Sequence, residues 1–161
     1  MSDIKLNMGC GNDHRDGWIN VDSDPTFSPD QVFDLNVVPW AWPAGSVSEI
    51  FMQNVLDHLQ DVTASMREIY RVLAPGGHAT IIVPIGRCKF NDPTCHHFFS
   101  KKSIRYYTEN DYHIHYISEL FKLVWAKPRR TAFPVYHSKK YLGIDLKIPF
   151  FPNSSEWRIA K

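Results

Sequence analysis

Apolar and polar positions along this chain group into short segments that change period from one to the next. Ile4 to Met8 is an apolar-rich run that stops at Gly9, which predicts a buried strand closing in a turn. Trp18 to Val21 repeats the pattern with six residues between it and Gly11, leaving room for one or two helical turns. Gln31 to Leu35 predicts a third strand and Val47 to Gln53 a fourth, separated by the Pro- and Trp-rich loop "NVVPWAWPAGS". The period then lengthens. Val62, Met66, Ile69, Tyr70 and Leu73 recur at helical spacing, Asp61 stands as N-cap, and "PGG" at Pro75 to Gly77 ends an amphipathic helix. His78 to Pro84, "HATIIVP", has the continuous apolar run of a strand covered on both faces, which favours parallel pairing.

The second half is less regular. After the polar and aromatic loop "IGRCKFNDPTCHHFF", a short helix is expected from Ser100 to Tyr107 with Ser100 as cap. His113 and His115 alternate with Tyr112, Ile114 and Tyr116, as on the polar face of a half-buried strand. "ELFKLVWAK" and the C-terminal "SEWRIAK" read as two late strands joined by a loop rich in Pro, Tyr and Phe. Strand and helix alternation in the first half followed by late strands predicts an α/β fold. The expectation is one three-layer domain over 1–161, with a doubly wound, mostly parallel sheet and a late antiparallel strand.

Composition narrows the function. With 18 basic and 17 acidic residues the net charge is +1, so no global field draws the chain onto nucleic acid or an anionic membrane. No window approaches the roughly 20 apolar residues of a membrane span, and a cytoplasmic location is expected. Cys10, Cys88 and Cys95 lack CxxC spacing and read as reduced thiols. The 14% aromatic share needs a home in core, pocket or interface.

The chemistry begins at "KLNMGCGND". A glycine turn at the end of a first strand admits a ligand close to the backbone in open α/β sheets. A dinucleotide fingerprint needs a third glycine, but His14 fills that slot, and the acidic Asp22 follows Gly11 by eleven residues instead of about 20. A nucleoside without a pyrophosphate fits these parts better.

Five ordered motifs carry a resemblance: "LNMGCGN", "GWINVDSD", "VFDLN", "SVSEIFMQNVLDHL" and "MREIYRVLAPGGHATIIVP". On them the chain resembles the compact, Rossmann-like class I S-adenosylmethionine-dependent methyltransferases over roughly its first hundred residues. The resemblance implies S-adenosylmethionine as cofactor. It implies that Gly9 and Gly11 admit the methionyl part, Asp22 accepts the ribose hydroxyls, Asp34 and Leu35 meet the adenine edge, and Asn54 faces the methionyl or sulfonium region. Asn7 stands where many relatives carry an acidic residue, so contact to the cofactor's ammonium falls to an amide oxygen or backbone carbonyls.

His58, just past the fourth strand, is the candidate general base, because an imidazole titrates near neutral pH. Packing in the core or capping the next helix is its alternative role. Asp57 is expected to be solvated, since neighbouring side chains on a regular backbone point apart. His96 and His97 after Cys95 have ligand chemistry for zinc but no recurrent metal spacing, so no metal is expected. "KPRRTAFPVYHSKK" is basic and reads as a solvated loop, and "PWAWP" either lines the adenine pocket or packs on the sheet edge.

The function expected is methyl transfer to a small-molecule or glycan acceptor. Its rivals are a non-catalytic S-adenosylmethionine-binding module and an enzyme that cleaves the cofactor without an acceptor. The clipped helix after the glycine turn leaves the pocket open or covered by a second subunit, so a homodimer is expected.

Overall fold

The computed structural model describes residues 4–85, 92–108, 121–130, 135–141, 144–150 and 153–161. Cys88, His113 and His115 lie outside the described residues, as does the strand expected around Tyr112 to Tyr116. Among the described residues, no helix is long and apolar enough to cross a membrane.

Four parallel strands build the first half: β1 (Ile4–Met8), β2 (Ile19–Asp22), β3 (Gln31–Val32) and β4 (Val47–Gln53). Helix α1 (Val62–Val72) crosses over to β5 (Leu73–Pro84). Asp61 caps α1 by accepting the Ala64 N–H at 2.9 Å, as its sequence position requires. Near the C-terminus β6 (Lys122–Arg130) and β9 (Asn153–Ala160) complete a seven-stranded sheet in the order β3-β2-β1-β4-β5-β9-β6. All pairs from β3 to β5 are parallel, and β9 runs antiparallel to both β5 and β6. The expected fold class is therefore present: an α/β, mostly parallel sheet with a late antiparallel strand.

Several elements differ from expectation. No helix forms between β1 and β2; turns fill that interval. The buried Asn7 amide donates to the Asp13 carbonyl at 2.6 Å, and the Asn20 amide oxygen accepts the Arg15 N–H at 2.8 Å. These side chain to backbone bonds replace helical ones. β3 stops at Val32, because Asp34 accepts the Asn36 N–H at 2.9 Å and closes a turn. β5 begins at Leu73, without a loop after the helix, and bulges where its register against β4 shifts. Gly77 lies in that bulge so tightly that a Cβ would meet the Val47 carbonyl oxygen at 3.0 Å. The helix expected from Ser100 is a 3-10 turn over Ser103–Tyr107.

The region read as a loop between the late strands contains a hairpin instead, β7 (Val135–Tyr141) with β8 (Ile144–Phe150). Its signal was present: Ile144, Leu146, Ile148 and Phe150 alternate with other residues at period two.

Register separates the two faces of the sheet. Leu6, Met8, Ile50, Met52, Ile81 and Trp157 share one face and pack with Met66, Ile69 and Val72 of α1 in a single buried cluster. Lys5, Asn7, Asn20, Glu49, His78 and Arg158 share the opposite face. Lys5 pairs with Glu49 at 3.4 Å, Glu49 with His78 at 3.0 Å, and Arg158 reaches His78. Phe51, on this polar face, is covered by the Arg15 guanidinium 3.4 Å above its ring. Among the described residues the third layer consists of turns, with no α-helix.

Candidate functional site

The carboxyl ends of β1, β2 and β4 meet in a cavity of about 330 Å³. Gly9, Asp22, Asp34, Leu35, Asn54 and His58 all line it, so six of the eight residues singled out in the sequence converge. Its size lies at the lower end of small-molecule sites.

Each wall residue is held by local chemistry. Gly9 has φ +65°, and a Cβ there would come within 2.2 Å of a Val55 methyl, so the turn requires glycine on both conformation and space. The Asp22 carboxylate accepts the Gly11 N–H at 2.8 Å and the Asp24 N–H at 3.0 Å. A carboxylate offers about four acceptor positions, so capacity remains for two vicinal hydroxyls. Asp34 is fixed by Asn36, whose own amide oxygen accepts the Gln60 N–H at 2.8 Å and ties this wall to the start of α1. Leu35 is positioned from behind, where the Trp40 indole N–H donates to its carbonyl at 3.0 Å. Asn54 adopts φ +54°, a left-handed position that Asn tolerates better than most residues, and its N–H donates to Ile82 at 2.9 Å.

Two residues do not reach the cavity wall. Gly11 acts through its N–H, orienting Asp22. Asn7 is buried and its amide nitrogen bonds Asp13 and Asn20, so the side chain braces the glycine turn from the polar face of the sheet. Phe33, Asn36, Val55 and Leu59 also line the cavity and were missed. Their neighbours in sequence carried the only signal. The tryptophans of "PWAWP" are buried in the core beneath this wall, not in it.

Beyond Asn54 the chain leaves regular structure, and the expectation that Asp57 is solvated fails there. Asp57 is fully buried. Its carbonyl accepts the backbone N–H groups of His96 and His97 at 2.9 and 3.1 Å, which pins that segment against the 55–59 turn. Its carboxylate accepts the Cys95 thiol at 3.2 Å and lies 3.5 Å from His58 Nε2. Adjacent side chains meet here because residues 55–59 form turns, so the rule for regular backbones does not apply. His58 Nδ1 lies 3.2 Å from the Thr94 hydroxyl, which in turn donates to Asp92 at 2.6 Å. Burial, then the hydrogen bond and charge of Asp57, push the Cys95 thiol up to about 12. Cys95 is thus no free-standing nucleophile at neutral pH. The His97 ring faces the Gln60 carbonyl at 3.1 Å, while His96 is exposed.

A second cavity of about 310 Å³ is lined by Gln60, next in sequence to Leu59 of the first, and by Thr63, His97, Phe98, Tyr106 and Tyr107 among others.

Residues 6–81 match the family model described as a methyltransferase domain. The fold is shared with solved structures. One from Bacillus halodurans, assigned as a methyltransferase, has a TM-score of 0.69 at 11% identity, covering 99% of this chain and 93% of its own. An S-adenosylmethionine-dependent methyltransferase from Archaeoglobus fulgidus has a TM-score of 0.64 at 12% identity, covering 99% and 86%. A Haloferax volcanii chain, from a complex with the methyltransferase activator Trm112, has a TM-score of 0.60 at 12% identity, covering 97% and 82%. No sequence among the curated proteins matches the chain significantly. The chain thus shares the fold of these solved methyltransferases, and residues 6–81, a little under half of it, match the methyltransferase-domain model.

Proposed function

We propose that this chain transfers the methyl group of S-adenosylmethionine to a small-molecule or glycan acceptor. The observation that carries the reading is a pair of cavities joined in sequence at Leu59 and Gln60: one rimmed by a glycine turn and two carboxylates, the other faced with aromatic rings. In the first, Asp22 accepts the ribose hydroxyls, Asp34 and Leu35 meet the adenine edge, and Gly9 and Asn54 admit the methionyl arm. In the second, Phe98 and Tyr106, about half exposed, offer flat apolar faces to a sugar or an aromatic ring.

Methyl transfer from a sulfonium is an in-line displacement, so holding the acceptor atom behind the methyl carbon supplies much of the acceleration. His58 lines the first cavity and, on this reading, takes the proton from an acceptor that must lose one. A second subunit closing the open side of the cofactor cavity belongs to the same reading.

Calorimetry with S-adenosylhomocysteine tests the cofactor assignment. Binding is expected in the micromolar range or tighter, weakened about tenfold or more by Asp22→Ala, because a hydrogen bond to a charged group contributes roughly 1.5–3 kcal/mol. No binding by the folded protein, or an unchanged affinity in Asp22→Ala, rejects the reading. Product analysis then separates the rivals. S-adenosylhomocysteine formed only with acceptor supports transfer, whereas breakdown of the cofactor incubated alone assigns a cleavage reaction.

A further inference from the structure

Beside the cofactor cavity, three lone-pair donors converge with too few protons among them. Asp57 is fully buried, and its Oδ1 has no hydrogen-bond partner among the described residues. Its Oδ2 takes the Cys95 thiol proton at 3.2 Å. The single proton of the Thr94 hydroxyl goes to Asp92 Oδ1 at 2.6 Å, so Thr94 Oγ1 is an acceptor towards His58 Nδ1 at 3.2 Å. The imidazole proton is thereby drawn to Nδ1. Nε2 then presents a lone pair to Asp57 Oδ2 at 3.5 Å and to Cys95 Sγ at 4.0 Å. With Asp57 fully buried and the His58 side chain 34% exposed, two such acceptors face each other favourably only when a proton or a metal cation lies between them.

We propose that Asp57, His58 and Cys95 form a zinc site, binding through a carboxylate oxygen, Nε2 and Sγ. The ligand types are those zinc prefers, and the spacing fits. Tetrahedral zinc with bonds of about 2.0–2.3 Å sets its ligand atoms roughly 3.3–3.6 Å apart. The three separations here are 3.2, 3.5 and 4.0 Å, so a few tenths of an ångström of side-chain adjustment complete the geometry. Outer contacts are already in place. Thr94 and, through it, Asp92 orient the imidazole, and the N–H groups of His96 and His97 hold the Asp57 backbone. Binding deprotonates Cys95, releasing one proton per zinc.

Three protein ligands leave a fourth position open, as in catalytic zinc centres. His58 lines the cofactor cavity, so, on the methyltransferase reading of that cavity, the open position belongs to the acceptor. A hydroxyl or thiol bound there would lose its proton to solvent more readily. The methyl carbon then bonds to that oxygen or sulfur while the electrons of the broken C–S bond remain on the cofactor's sulfur. The metal thereby takes over the proton-removing task that His58 performs alone in the metal-free protein.

The test uses the full chain, stripped with a chelator and titrated first with Zn²⁺ and then with Co²⁺. One equivalent of zinc is expected. Cobalt should give a thiolate-to-metal charge-transfer band together with the intense visible bands of tetrahedral coordination. Cys95→Ser should remove the charge-transfer band and, like His58→Gln, weaken zinc at least about tenfold, while His96→Ala and His97→Ala retain both properties. Circular dichroism establishes that each variant is folded. An unchanged affinity in folded Cys95→Ser overturns the site, as does loss of binding in the His96 and His97 variants alone. A wild-type cobalt titration without a thiolate band overturns it irrespective of how the variants fold. S-adenosylhomocysteine binding by the metal-free protein is read separately, so zinc without cofactor rejects the methyltransferase reading and cofactor without zinc rejects only the metal site.

Discussion

Single residues decide whether the cavity at the ends of β1, β2 and β4 exists at all, and Gly9 decides most. Its left-handed backbone and the methyl of Val55 exclude any side chain, so Gly9→Ala carries two separable costs. The conformational one is about 1–2 kcal/mol, and the clash adds roughly a further 1–3 kcal/mol. Thermal unfolding of Gly9→Ala against Gly9→Ala/Val55→Ala measures the split: the second substitution should recover the clash and leave the conformational part. Equal stability of the two variants would show that the crowding is not what constrains position 9. Asp22 is the complementary case, in which the residue type was legible because a short, fixed spacing from the glycine turn set its position. Asp57 was not legible. Its burial depends on residues 92–97 folding back over it from nearly forty positions away, and no local pattern records that contact.

At the scale of elements, the wall carrying Leu35 depends on how the tryptophan loop is fastened to α1. Glu68 accepts the Trp40 N–H at 2.6 Å and pairs with Arg71 at 2.7 Å, and Arg71 donates to the carbonyls of Trp40 and Trp42, each at 3.0 Å. The hydrogen bond from Arg71, with that from Trp40, holds the Glu68 carboxyl below the usual range despite its burial. A depressed folded pKa means that this stabilisation is complete above the ordinary carboxylate pKa of about 4.3 and is lost as pH falls through the folded value. Acid unfolding of Glu68→Gln should therefore have a shallower pH dependence below about pH 4.5 than wild type. At neutral pH the substitution should cost about 2 kcal/mol, through loss of charge-assisted bonds. A parallel acid limb in both proteins would remove Glu68 from the account.

The second element-scale prediction concerns β9. Trp157 is 1% exposed and meets Phe99 edge to face, with centroids 5.7 Å apart, so it joins the C-terminal strand to the 92–108 segment. Trp157→Ala should cost about 3–5 kcal/mol in denaturant unfolding. Because that segment also carries Thr94 and Cys95, S-adenosylhomocysteine affinity should fall less than stability does. The reverse ordering would place β9 in the cofactor site directly.

For the whole molecule, the two faces of the sheet have opposite character. Helix α1 and the main cluster cover one, while the other displays Lys5, Glu49, His78 and Arg158 as a chain of polar contacts. On the proposal that this cavity holds the cofactor, turns in place of helices beside it leave cover to a partner subunit, and sedimentation velocity at micromolar concentration should find a dimer. A monomer across that range would mean that the cavity works uncovered.

The sequence by itself determined the parallel strands β1, β2 and β4, the late strands β6 and β9, the α1 helix with its Asp61 cap, and six of the cavity residues, because each rests on periodicity or short spacing that local chemistry enforces. It also contained the alternation of β8, which the aromatic and proline content of that stretch obscured. Only the tertiary structure decided that Asn7 braces the turn, that Trp40 supports Leu35 from the core, and that Asp57, His58 and Cys95 meet. Those outcomes depend on contacts between distant segments, where burial and register rather than local preference fix which atoms face each other.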